Sequence, residues 1–139
     1  MTDDFYRKLV DYRNSMRVAL DQNIRILEVR EGWARAEMTV TELQQNLLGT
    51  VHGGVLMTFA DITASVSAWS YGIYTTTMNC SVNFLNPAVS VDRLWAEAQV
   101  EKRGKKTVVS RVVLTDPEEK VILTSSFTLY SLDRPIELD

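Results

Sequence analysis

At 139 residues, 45% hydrophobic and 24% charged, the chain has the length of one domain and the composition of an ordinary folded protein, which excludes disordered and fibrous classes. Its net charge of −3 lacks the basic excess that a phosphate backbone requires, so nucleic acid is not an expected partner. One cysteine, Cys80, permits no intrachain disulfide, no Cys/His spacing suits a metal, and no apolar run reaches the roughly 18 residues of a membrane span. With the acidic start Met1-Thr2-Asp3-Asp4 and no secretory h-region, a cytoplasmic protein without a resident cofactor is expected.

In chain order, Phe5, Leu9, Val10, Met16 and Leu20 recur at helical spacing, which predicts an amphipathic helix over residues 3–20. A two-residue period follows over Ile24–Val29 and Trp33–Val40, joined by the turn Glu31-Gly32. From Val55 to about Ser70 the chain is apolar and small, lacks Gly and Pro, and is too long for a strand, so a buried helix is expected just after His52-Gly53-Gly54. Beyond Tyr71-Gly72 the alternation returns. Met78, Cys80, Val82 and Phe84 are expected on one face and Thr77, Asn79, Ser81 and Asn83 on the other, with Asn86-Pro87 ending the strand. Runs at 94–102, 107–114 and 121–130, separated by Arg103-Gly104 and Asp116-Pro117, read as an antiparallel meander. The order is helix, two strands, long helix, four strands: a single α+β domain over residues 1–139, one helix wrapped by one antiparallel sheet of about six strands.

Between Glu42 and Asp92 lie 49 residues of which only Asp61 bears a formal charge. A helical net places Gly54, Met57, Thr58, Ser65 and Ala68 on its side, with Phe59, Ile62 and Val66 elsewhere. A lone carboxylate in apolar surroundings pairs, shifts its titration or lines a cleft. Two readings stay open at this point: a solvent-facing or locally bonded Asp, and a functional one. His52, the only histidine, and the turn Gly53-Gly54 are each unremarkable alone. Together, two glycines opening a helix let a ligand approach free amide N–H groups at the positive end of the helix dipole, where an oxyanion is stabilised. Asp61 lies about two helical turns, roughly 10–12 Å along the axis, from Gly53, so a site using both needs a bent approach or a second chain.

The segment "NLLGTVHGGVLMTFAD", residues 46–61, resembles the signature of hotdog-fold acyl-CoA thioesterases, in particular the phenylacetate-pathway and human thioesterase-superfamily-member-2 type within the 4-hydroxybenzoyl-CoA thioesterase superfamily. "NFLNPA", residues 83–88, is similar to the family's strand-ending motif. The resemblance implies a hotdog fold and a homodimer or homotetramer with active sites at the subunit interface. It also implies hydrolysis of acyl-CoA by Asp61 as general base or nucleophile, facing a residue of the partner chain that orders water, with Thr77 at the strand position where relatives carry Ser or Thr. Asn46 and the amide of Gly53 would polarise the thioester carbonyl, His52 would fix the loop, and Gly54 would lie against substrate. The basic turn Lys102, Arg103, Lys105 and Lys106 would meet the nucleotide phosphates, although an unliganded solvated turn explains it equally. Tyr71, Tyr74, Trp69, Met57 and Phe84 stand as wall candidates for the acyl group or as plain core.

Two other functions fit a hotdog chain. A dehydratase or hydratase pairs His with an acid in a proline-containing loop, whereas His52 precedes Gly-Gly. A non-catalytic acyl-CoA-binding domain has no need of Asp61.

Overall fold

In the computed structural model, which describes residues 1–139, the elements run α1 (Asp3–Asn14), α2 (Arg17–Asp21), β1 (Ile24–Arg30), β2 (Trp33–Thr39), a 3-10 turn (Glu42–Gln44), α3 (Gly53–Trp69), β3 (Ile73–Phe84), β4 (Arg93–Arg103), β5 (Thr107–Thr115) and β6 (Val121–Pro135). The six strands form one antiparallel sheet in the order β1-β2-β4-β5-β6-β3. The expected meander is present as β4-β5-β6, and β3 closes on β6 at the far edge. No helix is long and apolar enough to cross a membrane.

α3 touches all six strands, which places it in the curve of the sheet. Eleven of its residues are buried, and its last eight form an unbroken buried run. Its hydroxyls are satisfied locally, since Thr63 Oγ1 donates to the Phe59 carbonyl (2.8 Å) and Ser67 Oγ to that of Ala64 (2.7 Å). Such back-bonding lets polar residues occupy a helix core. On the sheet, the pairs Ala34–Ala98 and Ala36–Ala96 set small side chains along β2 and β4, leaving depth for the helix, while Leu114, Leu123, Phe127 and Leu129 fill the inner face of β5 and β6. Phe127→Ala should therefore cost about 3–5 kcal/mol in urea unfolding, since the void it leaves is walled by rigid strands. A loss below about 1 kcal/mol would contradict this packing.

The helix expected over residues 3–20 is broken in two. Asn14 turns its amide onto β1, donating to the Ile26 carbonyl (3.0 Å) and accepting from the Ile26 N–H (2.7 Å), next to a β-bulge between Ile26 and Glu28. Ser15 Oγ bonds the Tyr12 carbonyl (2.6 Å), and α2 begins two residues later. Satisfying the edge-strand backbone thus wins over helical continuity.

The face assignment of β3 also changes. Its pairing with β6 shifts register between Thr77 and Asn79, so Met78 is the extra residue of a bulge. A bulge reverses the alternation. Thr77 therefore joins Cys80 and Val82 on the helix side, opposite buried Leu129, Phe127 and Ser125, and not Asn79, Ser81 and Asn83 as strict alternation predicts.

Candidate active site

The loop before α3 is built around Asn46. Its N–H donates to the Thr50 carbonyl (2.8 Å), and its Oδ1 accepts from the N–H groups of Leu48 (2.9 Å) and Thr50 (3.2 Å). These bonds fix the amide with Nδ2, its donor end, free of any protein acceptor. Gly49 completes the turn at φ +75°, a conformation glycine adopts without strain. The His52 N–H is held by the Gln44 carbonyl (2.8 Å), while its imidazole is exposed and makes no capping bond.

At the tip of α3 the first intrahelical donors are Val55 and Leu56, bonding His52 O, so the N–H groups of Gly53 and Gly54 have no acceptor. Gly53 and Asn46 border a surface cavity of about 290 Å³ with Phe84 and Asn86. A side chain at Gly53 would meet the Phe84 ring at 3.4 Å, so the end of β3 crosses close to the helix tip. The structure thus brings Asn46, Gly53 and Phe84 together.

Asp61 lies apart, half-buried, two turns along the helix. Its Oδ1 accepts a 2.5 Å hydrogen bond from Thr77 Oγ1 of the same chain, made possible by the bulge at Met78. Its Oδ2 has no protein partner. The stripe it shares is open only at its start: Gly54 and Met57 are exposed, whereas Ser65 and Ala68 are buried. Beyond Asp61, Trp69 packs edge-on against Tyr74 (centroids 5.0 Å, 85°). Tyr71 sits away, its hydroxyl against Gly32 and its ring under the Arg103 guanidinium at 4.2 Å. Met57 and Phe84 are exposed.

The four cations of the β4–β5 turn divide. Lys106 is tied to Asp133 at 2.7 Å, which raises its titration and lowers that of Asp133, and Arg103 is stacked on Tyr71. Lys102 and Lys105 are exposed with no protein partner. No cluster of His, Cys, Asp and Glu suits a metal ion.

One buried charge escapes sequence reading. Arg13 is only 8% exposed, on the same stripe of α1 as buried Leu9. The four-residue spacing from Leu9 was the available signal, masked by the general preference of arginine for the surface.

The model of the thioesterase superfamily matches residues 48–123, a span that includes the helix tip, Asp61, Thr77 and the basic turn. The acyl-coenzyme A thioesterase PaaI of Escherichia coli is 33% identical over 99 residues, covering 71% of each chain. The solved structure of E. coli PaaI superposes with a TM-score of 0.88 at 26% identity, covering 95% of this chain and 99% of that one. A thioesterase protein of Streptococcus pneumoniae, solved with coenzyme A, superposes with a TM-score of 0.81 at 25% identity, covering 86% and 94%. The S. pneumoniae protein has also been solved with one aspartate and, separately, one threonine replaced by alanine, the two positions sixteen residues apart. With the hotdog architecture of one long helix in a six-stranded antiparallel sheet and a family match over more than half its length, the chain belongs to the thioesterase superfamily.

Proposed function

We propose that the chain hydrolyses acyl-CoA thioesters at sites shared by two copies, with Asp61 as the reacting carboxylate. The observation that carries the reading is the Asp61–Thr77 pair: one carboxylate oxygen held at 2.5 Å, the other open, in a helix with no other charge. The interval from Asp61 to Thr77 equals that between the aspartate and threonine replaced in the S. pneumoniae thioesterase, which supports a joint role. Binding of CoA by that relative and the activity of E. coli PaaI support acyl-CoA as substrate.

Asn46 Nδ2 and the Gly53 N–H, each free of a protein acceptor on a residue that lines the helix-tip cavity, serve as donors for a thioester carbonyl, with His52 and Gly54 next to Gly53 in the chain. Asp61 of the same chain is about 12 Å away along the axis. A second copy closes the gap. β3 is an edge strand with one row of backbone groups unpaired and apolar Met78 and Phe84 exposed by 59% and 53%, a surface that solitary proteins blunt. Antiparallel self-pairing of β3 along this edge would carry Asp61 of one copy toward Gly53 of the second. A twofold axis makes two such sites.

In the reaction, the carbonyl oxygen receives hydrogen bonds from Asn46 Nδ2 and Gly53 N. Asp61 takes a proton from water as its oxygen attacks, and collapse breaks the C–S bond, expelling the CoA thiolate, which takes up a proton. If instead Asp61 attacks directly, an acyl anhydride on its oxygen forms and is hydrolysed. In single-turnover hydrolysis in heavy-oxygen water, an anhydride opened at the Asp61 carbonyl leaves label in the protein, which the general-base route never does. Free Cys80 fits a reducing, cytoplasmic setting.

The test is release of free CoA thiol from a panel of aliphatic and aromatic acyl-CoA esters. Binding without release across the panel would replace this reading with that of a non-catalytic acyl-CoA binder. The open lysines supply a second measurement. Replacing both Lys102 and Lys105 by Glu should raise KM for acyl-CoA about five- to tenfold, leave kcat within about twofold, and leave a nucleotide-free pantetheine thioester unaffected. An unchanged KM for acyl-CoA would remove the turn from the binding site.

A further inference from the structure

We infer that Gln44 is a positioning residue for the thioester carbonyl: buried at the base of the loop before α3, it locks the two arms of that loop so that Asn46 Nδ2 and the Gly53 N–H stand at a fixed separation. This rests on the thioesterase reading above, and specifically on the role it gives those two donors.

Gln44 is 2% exposed, and burying an amide is costly unless its polar atoms are bonded. Here both are. Its Oε1 accepts from the N–H and the Oγ1 of Thr41, each at 2.7 Å, and its Nε2 donates to the Gln22 carbonyl at 3.1 Å. Gln22 caps α2 and Thr41 follows β2, so one side chain ties the loop to two earlier parts of the fold. An apolar side chain would fill the same space. What it would not supply is direction, which a fully bonded polar network does.

The main chain of Gln44 carries this anchorage to the site. Its carbonyl accepts from the His52 N–H at 2.8 Å, closing a loop over residues 44–52. Inside that closure Gln45 bridges Val51, and the Asn46 N–H donates to the Thr50 carbonyl at 2.8 Å. The returning arm is also held by the Val51 N–H, which donates to the Ala88 carbonyl at 3.1 Å. Asn46 stands on the outgoing arm two residues after Gln44, and Gly53 follows His52 at the end of the returning arm. The separation of the two carbonyl donors is therefore set where the arms are pinned together. The tip of the loop does not set it, since Leu47 and Leu48 are 105% and 85% exposed and pack on nothing.

The experiment is a double-mutant cycle on thiol release from an acyl-CoA: Gln44→Met is made in wild type and in Asn46→Ala, with thermal unfolding of each protein alongside. Met keeps the volume of the side chain. Thr41 is exposed and Gln22 half-buried, so water takes over the bonds they lose and the fold is kept. A donor displaced by about 1 Å weakens the transition state more than substrate binding, so Gln44→Met is expected to lower kcat by about 10- to 100-fold with KM within about twofold. In Asn46→Ala no second donor has to be kept in register, and the same change should cost less than about threefold. If Gln44→Met melts below the assay temperature, Thr41→Val removes only the hydroxyl bond to Oε1 and gives the same comparison with a smaller loss. Equal losses in both backgrounds, or lower melting with an unchanged kcat, would reduce Gln44 to packing and overturn the inference while leaving Asp61 catalysis intact. Absence of turnover in wild type would sink both.

Discussion

Asp61→Asn is expected to abolish most thiol release from acyl-CoA, by about 100- to 10,000-fold in kcat, with the fold kept. Asparagine has the shape of aspartate, and its Oδ1 still accepts from Thr77 Oγ1, so the Asp61–Thr77 link from α3 to β3 survives. What disappears is the second oxygen as a proton acceptor or nucleophile. Unfolding free energy should stay within about 1 kcal/mol of wild type, because no ion pair is broken. Stopped-time thiol assays and urea titrations measure the two quantities on one sample. Near-native turnover in Asp61→Asn would show that the chemistry lies elsewhere.

The second large effect is a recovery. Asn46→Ala removes one of the two carbonyl donors, and loss of such a donor costs about 3 kcal/mol, or more than 100-fold in rate. Asn46→Ala and Asp61→Asn should each be nearly inactive. Mixed in equal amounts and allowed to exchange subunits, they should regain about a quarter of wild-type activity: half of random dimers are mixed, and one of the two sites in each combines intact Asn46 from one copy with intact Asp61 from the other. A site confined to one chain predicts no recovery. The same mixture tests the pairing of β3, since a variant that stays monomeric in light scattering should recover nothing.

Much of the fold was legible because its signals are local. The period of 2 over 33–40 and over the last three strands, the apolar helical run after His52-Gly53-Gly54 and the turn at Gly32, which sits at φ +68°, each name an element without reference to any other. The order of elements and the lone charge at position 61 followed from the same reading. The break at Asn14 did not, because its cause is a hydrogen bond to Ile26, twelve residues away on another element. Nor did the burial of Arg13, whose setting is made by Trp69 and Met16.

Thr77 marks the boundary between the two kinds of knowledge. The sequence by itself determined that a carboxylate stands alone in a neutral helix behind two glycines, and that a threonine follows on the next strand. Strict alternation turned that threonine away from the helix. Only the tertiary structure decided that it faces Asp61, because the bulge at Met78 depends on how β3 registers against β6. Alternation along a strand is fixed by local backbone geometry, but the residue at which it slips is fixed by the neighbouring strand, and pairing between distant segments leaves no periodic trace in either one.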